Sequence, residues 1–266
     1  MSSLYMPNIL LYGEGPSDIQ GSSSQHGALV CMTVQTLKEL ASELCHHGSW
    51  LAPFVDDWTS QELQAHSLAA DKQEIKALVP TLKGRARGVF GSELAQFFNE
   101  AYALGKIALA KHLDLAFFFH DADFTDTDSI YRRIRAGFDH AGFEKGVIMV
   151  PVPTSEAWVL AAWLNLFGEE QEKLTPSNGA SFEDSLRPND RNPHSAKAIL
   201  AQRVSGNTDA RALNRDDYKA CIESIDRAEG WAVIEYLPSG SVFRLTLKEA
   251  LKKYLSELDP GISHSA

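Results

Sequence analysis

The chain has 266 residues, 44% of them hydrophobic, and a formal net charge of −10. Length and apolar content suffice to close a substantial core, as one large domain or as a domain with an appendage. No apolar run approaches the ~20 residues of a membrane-spanning helix, and so negative a balance argues against a chain that coats nucleic acid by bulk electrostatics.

The opening "MSSLYMPNILLYGEG" has neither a charged region nor a small-residue cleavage site, so the expected location is the cytoplasm. "NILLYG" (8 to 13) predicts a buried strand ending in a turn, and "ALVCMTVQTLKELASELCHH" (28 to 47) has helical apolar spacing. Cys31, Cys45 and Cys221 are odd in number, scattered and without CxxC spacing, which marks them as small buried hydrophobes. His46 and His47 are adjacent on that helix and point about 100° apart, so they make a poor metal pair. "WLAPFVDDW" (50 to 58) predicts the second strand, weakened by Pro53.

A short helix is expected around 60 to 79, then a Gly/Arg loop, "KGRARGVFG". In "SELAQFFNEAYALGKIALAKHL", Ser92 is the expected N-cap of a helix that runs into a third strand, "DLAFFF". Residues 127 to 142 read as helix and "GVIMVPVP" (146 to 153) as a fourth strand. "TSEAWVLAAWLNLFG" then reads as a helix capped by Thr154 and closed near Gly168, with Trp158 and Trp163 in the core. The segment 169 to 194 is polar and rich in turn formers, a linker or surface loop, and helices follow at 194 to 204, 214 to 228 and 241 to 257.

Strands that are apolar throughout and alternate with helices predict an α/β fold. Its mostly parallel sheet would span residues 1 to 168, flanked by helices, with an α-helical C-terminal region, 169 to 266, packed on it.

In such sheets, sites form beyond the C-terminal ends of the strands. Acidic residues lie there in number. Glu14 follows the first strand with Asp18 in the turn after it, Asp121 and Asp123 follow the third, and Glu156 opens the helix after the fourth. Unpaired carboxylates at the ends of apolar strands cost stability without a partner. Converging carboxylate oxygens would suit Mg²⁺ or Mn²⁺, which prefer hard ligands. Simpler roles stay open: a favourable charge in the first helical turn for Glu156, helix caps for Asp126 and Asp128, a turn for Asp18. Alternation turns His120 away from Asp121 and makes it a packing residue. Charge is uneven: between 187 and 215, Arg187, Arg191, Lys197, Arg203, Arg211 and Arg215 face only Asp190 and Asp209, and Arg132, Arg133 and Arg135 cluster just past the acidic loop.

The order strand, "EG" turn, helix, strand, helix, strand, "DxD", helix, strand resembles the TOPRIM domain of topoisomerases, primases and overcoming-lysogenisation-defect nucleases. More narrowly, "YGEGPSD", "FFFHDAD", "VPTSEAW", "NPHSAKAIL" and "SVFRLTLKEAL" are similar to a family of uncharacterised TOPRIM-like bacterial proteins, some of which resemble phage-defence components. The long stretch between strands two and three departs from a minimal TOPRIM domain. The resemblance implies metal-assisted phosphodiester cleavage at Glu14, Asp121 and Asp123, with Asp18 and Glu156 completing the ligation. Arg191, His194 and Lys197 would hold the nucleic-acid backbone, and a protein partner from a defence system is a further implication.

Two alternatives stay open. "FFFHDADFT" also fits the haloacid-dehalogenase signature, with Asp121 as nucleophile, Asp123 as general acid and Thr154 in the second motif, which would make a Mg²⁺-dependent phosphatase. A non-catalytic module on the same scaffold, acting as toxin, inhibitor or sensor subunit, suits the acidic balance. An EF-hand is excluded, because Asp126 stands where that loop needs glycine and Arg132 where it needs glutamate.

Overall fold

The structure, a computed structural model, describes residues 5–13, 27–45, 49–79, 94–123, 126–167, 181–188, 191–206, 209 and 213–264. In chain order these form strand β1 (Ile9–Tyr12), helices α1 (Ala28–Cys45), α2 (Ala52–Asp56) and α3 (Ser60–Ala65), and strand β2 (Ser67–Ala69). Helices α4 (Lys72–Leu78) and α5 (Ala95–Ala110), strand β3 (Leu115–Phe119), helix α6 (Thr127–Ala141) and strand β4 (Gly146–Met149) follow. The rest is helical: α7 (Ser155–Leu166), α8 (Phe182–Ser185), α9 (Ala196–Ser205), α10 (Arg215–Arg227) and α11 (Pro238–Leu258), with 3-10 turns at Gly230–Tyr236 and Pro260–His264. The chain divides into two compact units, one drawing on Met1–Phe119, Thr127–Met149 and Phe243–Ala266, the other on His120–Asp126 and Val150–Val242. That division is discontinuous, whereas the composition shift alone draws a single boundary at residue 168.

In the first unit, among the described residues, four strands form one parallel sheet in the order β2-β1-β3-β4. β3 is buried at all five positions and β4 at all four, the two-sided burial that a parallel sheet between helices imposes. α1 turns Val30, Val34, Leu37, Leu40, Ala41 and Leu44 inward at helical spacing. β4 ends the sheet, and its outer edge does not stay bare: Ile148 N donates to Thr246 Oγ1 of α11 at 3.3 Å, while that hydroxyl donates to Phe243 O at 3.0 Å.

The second strand is not where periodicity puts it. "WLAPFVDDW" holds the short helix α2, because Pro53 occupies its first turn, where a missing N–H leaves nothing unbonded. A capping box follows at once, Thr59 with Glu62, and opens α3. The strand itself is Ser67–Ala69, three half-exposed residues inside the segment 60 to 79 that reads as helix. It is defined by its pairing with β1, with Ile9 N donating to His66 O at 2.9 Å and Ala70 N to Leu11 O at 2.7 Å. β4 also stops at Met149, short of the expected residue 153. Ser92, the "KGRARGVFG" loop, the His46-His47 doublet and Gly168 lie outside the described residues.

In the second unit α7 is apolar on nearly every face, burying Ala157, Trp158, Val159, Leu160, Ala161, Ala162 and Leu164. α9, α10 and the turn at Gly230–Tyr236 pack around it. The stretch expected to be a linker or surface loop contributes to this core where it is described. Ser181 and Asp184 form a capping box that starts α8, and Phe182, Glu183 and Leu186 are buried. Cys31, Cys45 and Cys221 are buried and unbridged, as their scatter implies. Among the described residues no helix is long and apolar enough to cross a membrane.

Candidate functional site

Beyond Phe119, the last residue of β3, the chain enters the second unit and runs alongside Pro151–Pro153. Ala122 N donates to Pro151 O at 3.1 Å and Asp123 N to Pro153 O at 2.9 Å. These bonds fix the backbone that carries the "DAD" carboxylates. Asp123 is exposed and sits at φ 49°, in the left-handed region that a non-glycine residue enters at a cost of about 1–2 kcal/mol. Asp and Asn are the side chains that tolerate this conformation best. His120 Nδ1 lies 2.6 Å from Asp121 O. A carbonyl oxygen only accepts, so Nδ1 carries the proton and the ring is tied to the backbone rather than aimed as a base through that nitrogen.

Asp121 is half-buried, and its Oδ1 accepts a hydrogen bond from Ser155 N at 2.8 Å. Ser155 is the first residue of α7. Thr154, the expected cap, holds the N-cap position in an extended conformation, but its side chain makes no capping bond; Asp121, 34 residues earlier, supplies an acceptor to the first turn instead. The bond brings Asp121 to the turn that carries Glu156, the half-buried second residue of α7. Within this unit, then, Asp121 and Asp123 are tied by side chain and backbone to the segment Pro151–Ser155 that leads into Glu156.

Glu14 and Asp18 lie outside the described residues. What the first unit shows is the strand that precedes them: β1 lies beside β3 in parallel, with Tyr12 level with Phe118. Among the described residues no three His, Cys, Asp or Glu side chains form a group able to hold a metal. Asp121 and Asp123 themselves are hard oxygen donors of the kind Mg²⁺ and Mn²⁺ take, and they fit such an ion by donor chemistry. Asp128 sits in the first turn of α6, where its charge suits the helix dipole, with Asp126 just before that helix.

The basic residues singled out from the sequence gather around the start of α9. Arg191 and His194 are exposed and Lys197 is half-buried. His194 N donates to Asn192 Oδ1 at 2.9 Å, and the Ser195 hydroxyl caps the helix by accepting from Ala198 N at 3.1 Å. On α6, in the first unit, Arg135 pairs with Glu249 at 3.7 Å, and Arg132 Nε donates to Asp128 O at 3.2 Å.

Periodicity gave no hint of Glu183. Its side chain is 4% exposed and accepts from Ser239 N at 3.1 Å and from the Ser239 hydroxyl, which in turn accepts from Trp158 Nε1 at 2.7 Å. Burial raises the Glu183 carboxyl above the usual carboxylate range, against the lowering effect of those bonds, with Asp184 nearby adding to the rise. The signal that could have found it is "SFED", a serine followed three residues later by an acid, which announces a helix start inside the supposed linker. Cysteine chemistry is disfavoured: burial pushes the Cys45 thiol up to about 11 and the Cys221 thiol up to about 12, so neither holds appreciable thiolate near neutral pH.

Compared with protein-family models, curated proteins and solved structures, the chain matches none of them.

Proposed function

We propose that the protein is a cytoplasmic, divalent-metal-dependent phosphodiesterase acting on nucleic acid, in the manner of TOPRIM-like nucleases and in a phage-defence setting. The observation that carries the reading is the placement of Asp121 and Asp123 directly beyond the C-terminal end of β3, an inner strand of a parallel sheet, which is where α/β folds of this kind place their sites. Strands that alternate with helices along the chain are in keeping with the resemblance, although, among the described residues, three helices stand between β1 and β2 and two between β2 and β3. Asp121 and Asp123 would hold Mg²⁺ or Mn²⁺; Glu14, Asp18 and Glu156 join this set on their sequence position alone. Such an ion, when bound, polarises a phosphate oxygen and makes its water a better nucleophile.

The protein's own part is to hold and orient. The backbone bonds to Pro151 and Pro153 fix where the two aspartates project, and Glu14 is the proposed acceptor of the proton from the attacking water. Arg191, His194 and Lys197 are proposed to bind the sugar–phosphate backbone, a local positive surface on a chain of net charge −10.

The test is incubation of the purified protein with plasmid, single-stranded DNA and RNA in Mg²⁺ or Mn²⁺. Asp121→Asn and Asp123→Asn are expected to slow cleavage ~10²-fold, equivalent to about 2.7 kcal/mol of transition-state stabilisation. Asparagine is the informative replacement at 123 because it adopts positive φ as readily as aspartate, so the backbone survives while the charge goes. Hydrolysis of a small phosphomonoester in place of nucleic acid would assign the site to a phosphatase. No turnover of either substrate, with a stable protein partner recovered, would assign the scaffold to a binding module.

A further inference from the structure

We propose that the backbone amide of Ser155 is the positioning group that aims the Asp121 carboxylate at its ion, an inference that rests on the reading of Asp121 as a metal ligand. A ligand carboxylate must be held to a fraction of an ångström, and an aspartate has two free torsions to fix. The bond from Ser155 N to Oδ1, at 2.8 Å, falls in the range of charge-assisted hydrogen bonds and fixes one oxygen. A carboxylate offers about four acceptor positions, so one amide does not exhaust it.

Three features favour positioning over routine capping. Ser155 is only 5% exposed, so its N–H is shielded from water and needs a protein acceptor. The residue that ordinarily serves a helix start, Thr154, makes no side-chain capping bond. The acceptor instead comes from 34 residues away, out of the segment beyond β3, and its neighbours Ala122 and Asp123 are pinned by their own backbone bonds. The positive end of α7 also attracts the carboxylate charge.

The sequence position allows a clean deletion of the amide. Proline is favoured at the first residue of a helix, and Thr154, at φ −143° and ψ 168°, already has the extended backbone that must precede a proline. Ser155→Pro therefore removes the N–H with little penalty to the helix, whereas Ser155→Ala removes only the hydroxyl. Mn²⁺ binding to the full chain would be measured by titration calorimetry, with circular dichroism and melting temperature as controls of the fold. The native protein and Ser155→Ala are expected to bind alike, Ser155→Pro to bind ~10–100-fold more weakly, the usual loss when a group orienting a ligand is removed, and Asp121→Asn, which loses the ligand charge itself, to bind more weakly still. If the proline chain does not fold, the α-hydroxy-acid analogue of serine at 155, made by semisynthesis, deletes the same N–H without a ring. Native affinity in the amide-deleted protein, with binding weakened in Asp121→Asn, would overturn this inference and leave the metal reading standing. No binding by the native protein, or full binding by Asp121→Asn, would overturn both.

Discussion

Replacing Glu183 with alanine is expected to lower stability by about 3–4 kcal/mol, seen as a lower urea midpoint at unchanged slope. Two donors of Ser239, its amide and its hydroxyl, end on this one buried carboxylate, and Trp158 joins through the same hydroxyl. Each buried donor stripped of its acceptor costs about 1–3 kcal/mol. Ser239 also stands in the first turn of α11, so the change uncaps that helix, and the missing side chain leaves a void beside Trp158. Glu183→Gln keeps an acceptor and is expected to cost less. It also isolates the charge. Burial raises the Glu183 carboxyl, so the folded state holds the proton more tightly than the unfolded one; the resulting stability is present in full below the ordinary carboxylate value and is lost as pH rises through the folded one. The glutamine variant has no such group, and its melting temperature should gain on that of the native protein as pH rises above the ordinary carboxylate range. A constant difference above that range would mean that Glu183 titrates as an ordinary carboxyl.

Gly137→Val is expected to cost about 3 kcal/mol, at the upper end for overpacking. Gly137 lies on the face of α6 that meets α5, and a Cβ placed there would come within 2.5 Å of Phe98 O, 2.8 Å of the Ala101 Cβ and 3.0 Å of Tyr102 N. Two of those three atoms are backbone, which has little room to give. Gly105 is the counterpart on α5, where a Cβ would meet the Ala141 Cβ at 2.7 Å. Mid-helix glycine ordinarily costs about 1 kcal/mol relative to alanine, so Gly137→Ala is a sharp check. Helix propensity alone predicts stabilisation, and close approach of α5 and α6 predicts a lower melting temperature. A stabilised alanine variant would contradict the packing described here.

The sheet shows which parts of such a fold a sequence exposes. β1, β3 and β4 are buried on both faces, so "ILLY", "LAFFF" and "GVIM" stand out as apolar runs. β2 is invisible because "SLA" is short and half-exposed and owes its extended form to hydrogen bonds with β1, which no local pattern records. Apolar content points instead to "WLAPFVDDW", where Pro53 is equally at home in the first turn of a helix. α11 starts at Pro238 rather than 241 for the same reason, a proline at the first helical position.

At the candidate site, Asp121 and Asp123 were legible because charge at the tip of a buried strand is costly. The partner of Asp121 was not, since Ser155 acts through its backbone amide and side-chain chemistry gives no sign of it. Glu183 was hidden by the polar composition of its surroundings, although two apolar residues, Phe182 and Leu186, bury themselves within three positions of it.

Anomalous diffraction from crystals soaked in Mn²⁺ tests whether carboxylates separated in the chain share a divalent cation at the end of the parallel strands. A peak is expected about 2.1–2.2 Å from an oxygen of Asp121, with Glu14 and Asp123 or Glu156 among its other ligands. Asp121 bound only to the Ser155 amide, with Glu14 turned elsewhere and no manganese beside either, would contradict it.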